Sequence, residues 1–152
     1  MKKSATHLSF TVSNLDETIS FYSKLFQAEP SKVKKNYAKF ELEDPSMIIS
    51  FLQSEKTSKN VEWATTGAHF GIRVNSTEEV NKRFDYLRAE GIPLLEESDV
   101  ACCYAVQDKF WANDPDGIRW EIYTFKEDSE SFKDEDSQCC TNPKEDELAS
   151  CC

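Results

Sequence analysis

Apolar and polar positions alternate along Thr6-His7-Leu8-Ser9-Phe10-Thr11-Val12 and again along Ala68-His69-Phe70-Gly71-Ile72-Arg73-Val74. Alternation of period two predicts a half-buried strand at each place. Leu8, Phe10 and Val12 line the apolar face of the first strand, and Phe70, Ile72 and Val74 that of the second. His7 and His69 both fall on the opposite, less apolar face, at equivalent positions separated by 62 residues (7 to 69).

A helix is predicted after each strand. Asn14 to Glu17 and Ser76 to Glu79 have the spacing of a capping box, in which the first side chain and the acid three residues on satisfy free N–H groups. Leu15, Ile19, Tyr22 and Phe26 then form one helical stripe, and Val80, Phe84 and Leu87 another, with Pro30 and Gly91 marking the ends. Strand-like stretches follow at Ser31 to Lys35, Tyr37 to Leu42 and Met47 to Gln53, then at Leu94 to Ala101, Tyr104 to Ala112 and Ile118 to Phe125. The order strand, helix, three strands is thus written twice, with a connector near Ser54 to Thr66.

The turn signals at the repeat ends, Glu43-Asp44-Pro45-Ser46 and Asn113-Asp114-Pro115-Asp116-Gly117, match at an offset of 70 (44 to 114). Eight extra residues (70 less 62) therefore sit inside the second repeat, and the region around Cys102-Cys103 is expected to hold them. This predicts one domain over residues 1–126, with repeats at 5–53 and 67–126, and an acidic, disordered tail over 127–152.

Charge and cysteine usage narrow the chemistry. The formal net charge is -10, and Lys126 to Cys152 carries 9 acidic against 3 basic residues, which argues against nucleic-acid binding. Lys2 and Lys3 precede an alternating segment instead of an apolar run, so no export signal is read, and no apolar stretch has the length of a membrane span. A cytoplasmic protein is expected. The 6 cysteines come as neighbours: Cys102-Cys103, Cys139-Cys140 and Cys151-Cys152. Adjacent Cα atoms lie about 3.8 Å apart, below the usual disulfide separation, so each doublet reads as a dithiol able to chelate a soft ion.

Glu121 is a carboxylate in the aromatic strand Ile118 to Phe125, facing away from Ile118, Trp120 and Ile122. At the 70-residue offset its counterpart is Phe51, so the first repeat offers no matching acid. Two imidazoles and one carboxylate, His7, His69 and Glu121, make up the 2-His-1-carboxylate set that leaves positions open for oxygen or substrate. Iron(II) is the natural candidate, although the same ligands suit catalytic zinc. Lys109, Tyr104 and Gln107 lie between the cysteine pair and the last strand and are expected at the mouth of such a site.

Over about residues 5 to 126 this pattern resembles the vicinal-oxygen-chelate superfamily, which includes glyoxalases, extradiol dioxygenases and antibiotic-resistance proteins. The resemblance implies an α+β fold in which tandem βαβββ modules form a cupped mixed sheet around a metal, with His7, His69 and Glu121 as ligands. Cys102-Cys103-Tyr104-Ala105, Gln107-Asp108-Lys109-Phe110-Trp111 and Asp114-Pro115-Asp116-Gly117-Ile118-Arg119-Trp120-Glu121 resemble more narrowly the organoarsenical carbon-arsenic lyases and the related cadmium-induced proteins. That likeness implies an iron(II) enzyme with dioxygen as cosubstrate, in which Cys102 and Cys103 hold a trivalent organoarsenical and Lys109 and Tyr104 assist. Arsenite and an oxygenated carbon fragment would leave. The small-molecule substrate would be the main partner of a monomer or homodimer. A noncatalytic cadmium- or arsenic-binding protein and a zinc- or nickel-dependent glyoxalase-like isomerase remain open alternatives.

Overall fold

A computed structural model describes residues 4–55, 69–102 and 105–128, with the backbone path alone at 98–102, 105 and 128. The first repeat runs β1 (Thr6–Val12), α1 (Leu15–Phe26), β2 (Lys32–Lys34), β3 (Tyr37–Glu43) and β4 (Ser46–Gln53). The second runs β5 (Phe70–Arg73), α2 (Thr77–Ala89), β6 (Leu94–Cys102), β7 (Ala105–Asn113) and β8 (Arg119–Asp128). Each forms a four-stranded mixed sheet of the same topology, β1-β4-β3-β2 and β5-β8-β7-β6, with β1 parallel to β4 and β5 parallel to β8. The fold is α+β and built of βαβββ modules, as the doubled pattern predicts. The connector and the tail beyond residue 128 lie outside the described residues.

The chain divides into two compact units, residues 1–61 with 114–117 and residues 62–113 with 118–152. In the first, α1 packs on the apolar face of β3 and β4. Leu15, Phe21, Tyr22 and Leu25 bury there, and the Tyr22 and Phe51 rings sit with centroids 4.3 Å apart. Thr18, not Ile19, completes the buried stripe, because its hydroxyl donates to the Asn14 carbonyl at 2.7 Å and so enters the core with its polar group satisfied. Ile19 and Phe26 remain half-buried. The turn at Asp114–Gly117 groups with this unit: the Tyr22 hydroxyl donates to Asp114 Oδ2 at 2.9 Å, and the Ser13 N–H donates to both Asp116 oxygens at 3.1 Å.

In the second unit α2 packs on β6, β7 and β8 through Val80 and Leu87, with the Phe84 ring edge-on to Phe110 at 5.5 Å. Both helices start as the sequence predicts. Asn14 accepts from the N–H groups of Asp16 and Glu17, and Ser76 accepts from that of Glu79. The backbone N–H of Asn75 donates to Glu79 and holds its carboxyl below the usual range. The ends differ. α2 closes through Gly91 at φ 78, whereas α1 closes three residues before Pro30, on Gln27 in the left-handed region at φ 51. Among the described residues no helix is long and apolar enough to cross a membrane.

Candidate functional site

The helix covers one face of each sheet, so the residues opposite it are available for chemistry. On the second sheet this open face carries His69, Gly71, Glu121, Tyr123, Lys109, Trp111 and Glu97, because residues in register share a face: Gly71 lies beside Glu121, Trp111 beside Glu121, and Glu97 beside Lys109. His69 precedes β5, and its Nε2 lies 3.6 Å from Glu121 Oε1. Two donors each about 2.1 Å from a shared ion stand roughly 3.0–3.4 Å apart at octahedral to tetrahedral angles. His69 and Glu121 thus fit two ligands of one divalent ion to within a few tenths of an ångström. Among the described residues, no three His, Cys, Asp or Glu side chains gather into a complete metal site.

A buried cation stands behind the carboxylate. The Lys109 side chain is 1% exposed, with Nζ 3.9 Å from Glu121 Oε2 and 3.5 Å from Glu97 Oε2. The indole N–H of Trp111 donates to the same Glu97 oxygen at 3.1 Å. Lys109 Nζ stands 4.9 Å from the Trp111 ring centroid and Arg119 Cζ 4.3 Å from it, while the His69 ring meets the indole edge-on at 5.0 Å. Burying a lysine costs solvation that opposite charges offset, and two carboxylates stand beside it here. Sequence reasoning placed Lys109 at the rim of the site. Its side chain is buried on the central strand β7, between Glu97 and Glu121.

The first sheet repeats the layout with different chemistry. His7 Nε2 lies 3.4 Å from Ser50 Oγ, and Ser50 is in register with Ser9, as Glu121 is with Gly71. The counterpart of Glu121 is therefore Ser50, at an offset of 71 (50 to 121), and not Phe51. Phe51 faces the helix and is fully buried, like Ile122 71 residues on. The turn motifs misalign the strands by one residue because the two turns differ in length: Glu43 pairs directly with Ser46, whereas Asn113 pairs with Arg119. The expectation that only one repeat supplies a carboxylate stands, with Ser50 at the vacant position.

Register also locates the extra residues. Lys34 pairs with Tyr37 across residues 35–36, and the equivalent pair, Glu97 with Lys109, brackets residues 98–108. The second hairpin is longer by nine residues (eleven against two), not the eight that the turn motifs imply, and the cysteine pair sits in that extension. Irregularities in pairing between Glu97 and Val100, and between Val106 and Gln107, mark its root. Cys102 ends β6 and pairs with Ala105 along the backbone. Its side chain, with Cys103 and Tyr104, lies outside the described residues, as do Cys139-Cys140 and Cys151-Cys152. Glu97, Trp111, Gly71 and Ser50 were not singled out in the sequence. Only the glycine inside an alternating strand hinted at a close approach.

The chain is similar to several known proteins. Residues 4–122 match the Glyoxalase/Bleomycin resistance protein/Dioxygenase superfamily. A "Trivalent organoarsenical cleaving enzyme" of Bacillus sp. (strain MD1) is 44% identical over 148 residues, covering 96% of this chain and 88% of that one. "Cadmium-induced protein CadI" of Mycobacterium bovis is 37% identical, covering 85% and 81%. Among solved structures, a glyoxalase/bleomycin resistance protein/dioxygenase from Alicyclobacillus acidocaldarius superposes with a TM-score of 0.63 at 16% identity, covering 82% of this chain and 92% of that one, a likeness of fold.

Proposed function

Because the chain belongs to the Glyoxalase/Bleomycin resistance protein/Dioxygenase superfamily, we propose that it is a metal-dependent enzyme that cleaves the carbon–arsenic bond of trivalent organoarsenicals such as methylarsenite, detoxifying arsenic as arsenite. The observation that carries this reading is one of placement. The repeat that presents an imidazole and a carboxylate 3.6 Å apart is also the repeat whose hairpin is extended to carry Cys102-Cys103. The name of the 44%-identical relative supports the substrate class.

The proposed ligands are His7, His69 and Glu121. Iron(II) held by these residues would supply the activation of dioxygen that oxidative cleavage needs. Cys102 and Cys103 bind the substrate: two thiols replace the two labile hydroxyls of trivalent arsenic, each thiol proton leaving with a displaced hydroxyl as water, while the carbon substituent stays attached. The two-point chelate fixes the arsenic and restricts where its carbon can point. Methylarsenite and dioxygen together contain every atom of formaldehyde and arsenite, so the stoichiometry calls for no external reductant. Lys109 serves the Glu121 carboxylate from behind, and Tyr104 contributes beside the cysteines.

The catalytic domain in this reading spans residues 1–126, with β8 running two residues further to Asp128. The tail over 127–152 uses Cys139-Cys140 and Cys151-Cys152 to capture thiophilic species, in a reducing cytoplasm that keeps the thiols free. A second reading, a noncatalytic cadmium- or arsenic-binding protein, draws on the three adjacent cysteine pairs and on the cadmium-induced relative. Oxygen-free loading with iron(II), zinc or nickel, followed by methylarsenite with and without oxygen, separates the readings. Arsenite release that requires both iron and oxygen supports the lyase. Stoichiometric binding with no release under any metal contradicts it.

A further inference from the structure

Glu121 has two oxygens with different neighbours. Oε1 faces His69 Nε2 at 3.6 Å, and Oε2 faces Lys109 Nζ at 3.9 Å. The space that Oε1 occupies exists only because residue 71 lacks a side chain: a Cβ there would lie 2.9 Å from Oε1, 3.1 Å from the Glu121 Cγ and 3.1 Å from Tyr123 Cε1. The first two neighbours belong to the carboxylate itself, and the third to a ring on the same strand. An alanine would therefore displace Glu121. Lys109 is held in turn by Glu97, whose Oε2 also accepts from the Trp111 indole.

We propose that Gly71, Lys109 and Glu97 are positioning residues that aim Glu121: Gly71 leaves room for Oε1 beside His69, Lys109 engages Oε2, and Glu97 anchors Lys109. The proposal rests on Glu121 being a metal ligand. A carboxylate whose Oε2 faces an ammonium at 3.9 Å is biased to offer its other oxygen to an ion, which keeps more coordination positions open for dioxygen or substrate. Glu97 matters because it shares the buried cation. Without that charge the attraction on Lys109 shifts toward Glu121 and draws that carboxylate away from the ion. In the first repeat Ser9, Tyr37 and Lys34 occupy the places corresponding to Gly71, Lys109 and Glu97.

Anaerobic titration of the full-length chain with cobalt(II) tests this, reading both the dissociation constant and the visible absorption of the bound ion, with melting temperature as a check on folding. Glu97→Gln, which keeps shape and removes charge, is expected to weaken cobalt(II) about tenfold and to alter the visible bands, as loss of an outer partner does. Gly71→Ala is expected to do at least as much. Glu97→Gln combined with Lys109→Met should lose less affinity than the two single losses together, since both act on one carboxylate. If Glu121→Ala abolishes binding while Glu97→Gln and Gly71→Ala keep wild-type affinity and spectrum, the positioning proposal is overturned and the metal reading survives. If Glu121→Ala itself binds like wild type, the metal reading falls and takes the proposal with it. Should Gly71→Ala fail to fold, Glu97→Gln decides alone.

Discussion

The two repeats share topology, cap positions and a histidine at the same place, and they diverge by face. On the helix-facing side the differences conserve apolar volume: Ala38 and Phe40 of β3 answer to Phe110 and Ala112 of β7, a large and a small residue exchanged along one strand. On the open side the differences change chemistry. Ser50 becomes Glu121, Ser9 becomes Gly71, Tyr37 becomes Lys109, Lys39 becomes Trp111 and Lys34 becomes Glu97. A duplicated module can keep one face fixed for packing while the other is rewritten as a group, and here the rewritten group surrounds a single carboxylate.

The largest expected effect comes from making the second repeat resemble the first. Glu121→Ser should weaken iron(II) by more than about 100-fold and abolish turnover, with the fold retained, as followed by metal titration and circular dichroism. Normal iron affinity in this variant would remove the basis for the contrast between the repeats. Next in size is the cysteine pair: Cys102→Ser or Cys103→Ser should preserve iron binding yet lower arsenite release from methylarsenite by at least about 100-fold, because one thiolate cannot fix the arsenic at two points.

The core contrast is smaller and bears on stability alone. Phe51→Ala and Ile122→Ala, equivalent positions under the helices, should each cost about 2–5 kcal/mol in urea melts. Ser50→Ala, on the open face, should cost less than about 1 kcal/mol. A large loss at Ser50 with a small one at Phe51 would mean that the repeats are aligned wrongly. The smallest effect is expected at the tail. Ending the chain after Asp128, where β8 stops, should change stability by less than about 0.5 kcal/mol.

Much of this was legible in the sequence because each strand signal was strong. The alternation at Thr6–Val12 foretold β1 to the residue, and the capping spacings foretold both helix starts. The offset of the last strand was misread by one residue because turn motifs were used to align strands, and turn lengths change freely where side-chain parity cannot. The stripe of α1 was displaced from Ile19 to Thr18 because a threonine that returns its hydroxyl to the helix can be buried like an apolar residue. At the candidate site, His69 and Glu121 were recognisable by residue type. Glu97, Trp111 and Gly71 were not, since their nearness to that carboxylate and to Lys109 depends on a register that brings three strands side by side.

The central claim, carbon–arsenic cleavage, is tested most directly by measuring arsenic species after the iron(II)-loaded full-length protein meets an excess of methylarsenite in air-saturated buffer. The account predicts many equivalents of arsenite per chain, formaldehyde in equal amount, and no release under argon. Methylarsenite bound in fixed proportion to the cysteines, with no arsenite formed in air, would contradict it.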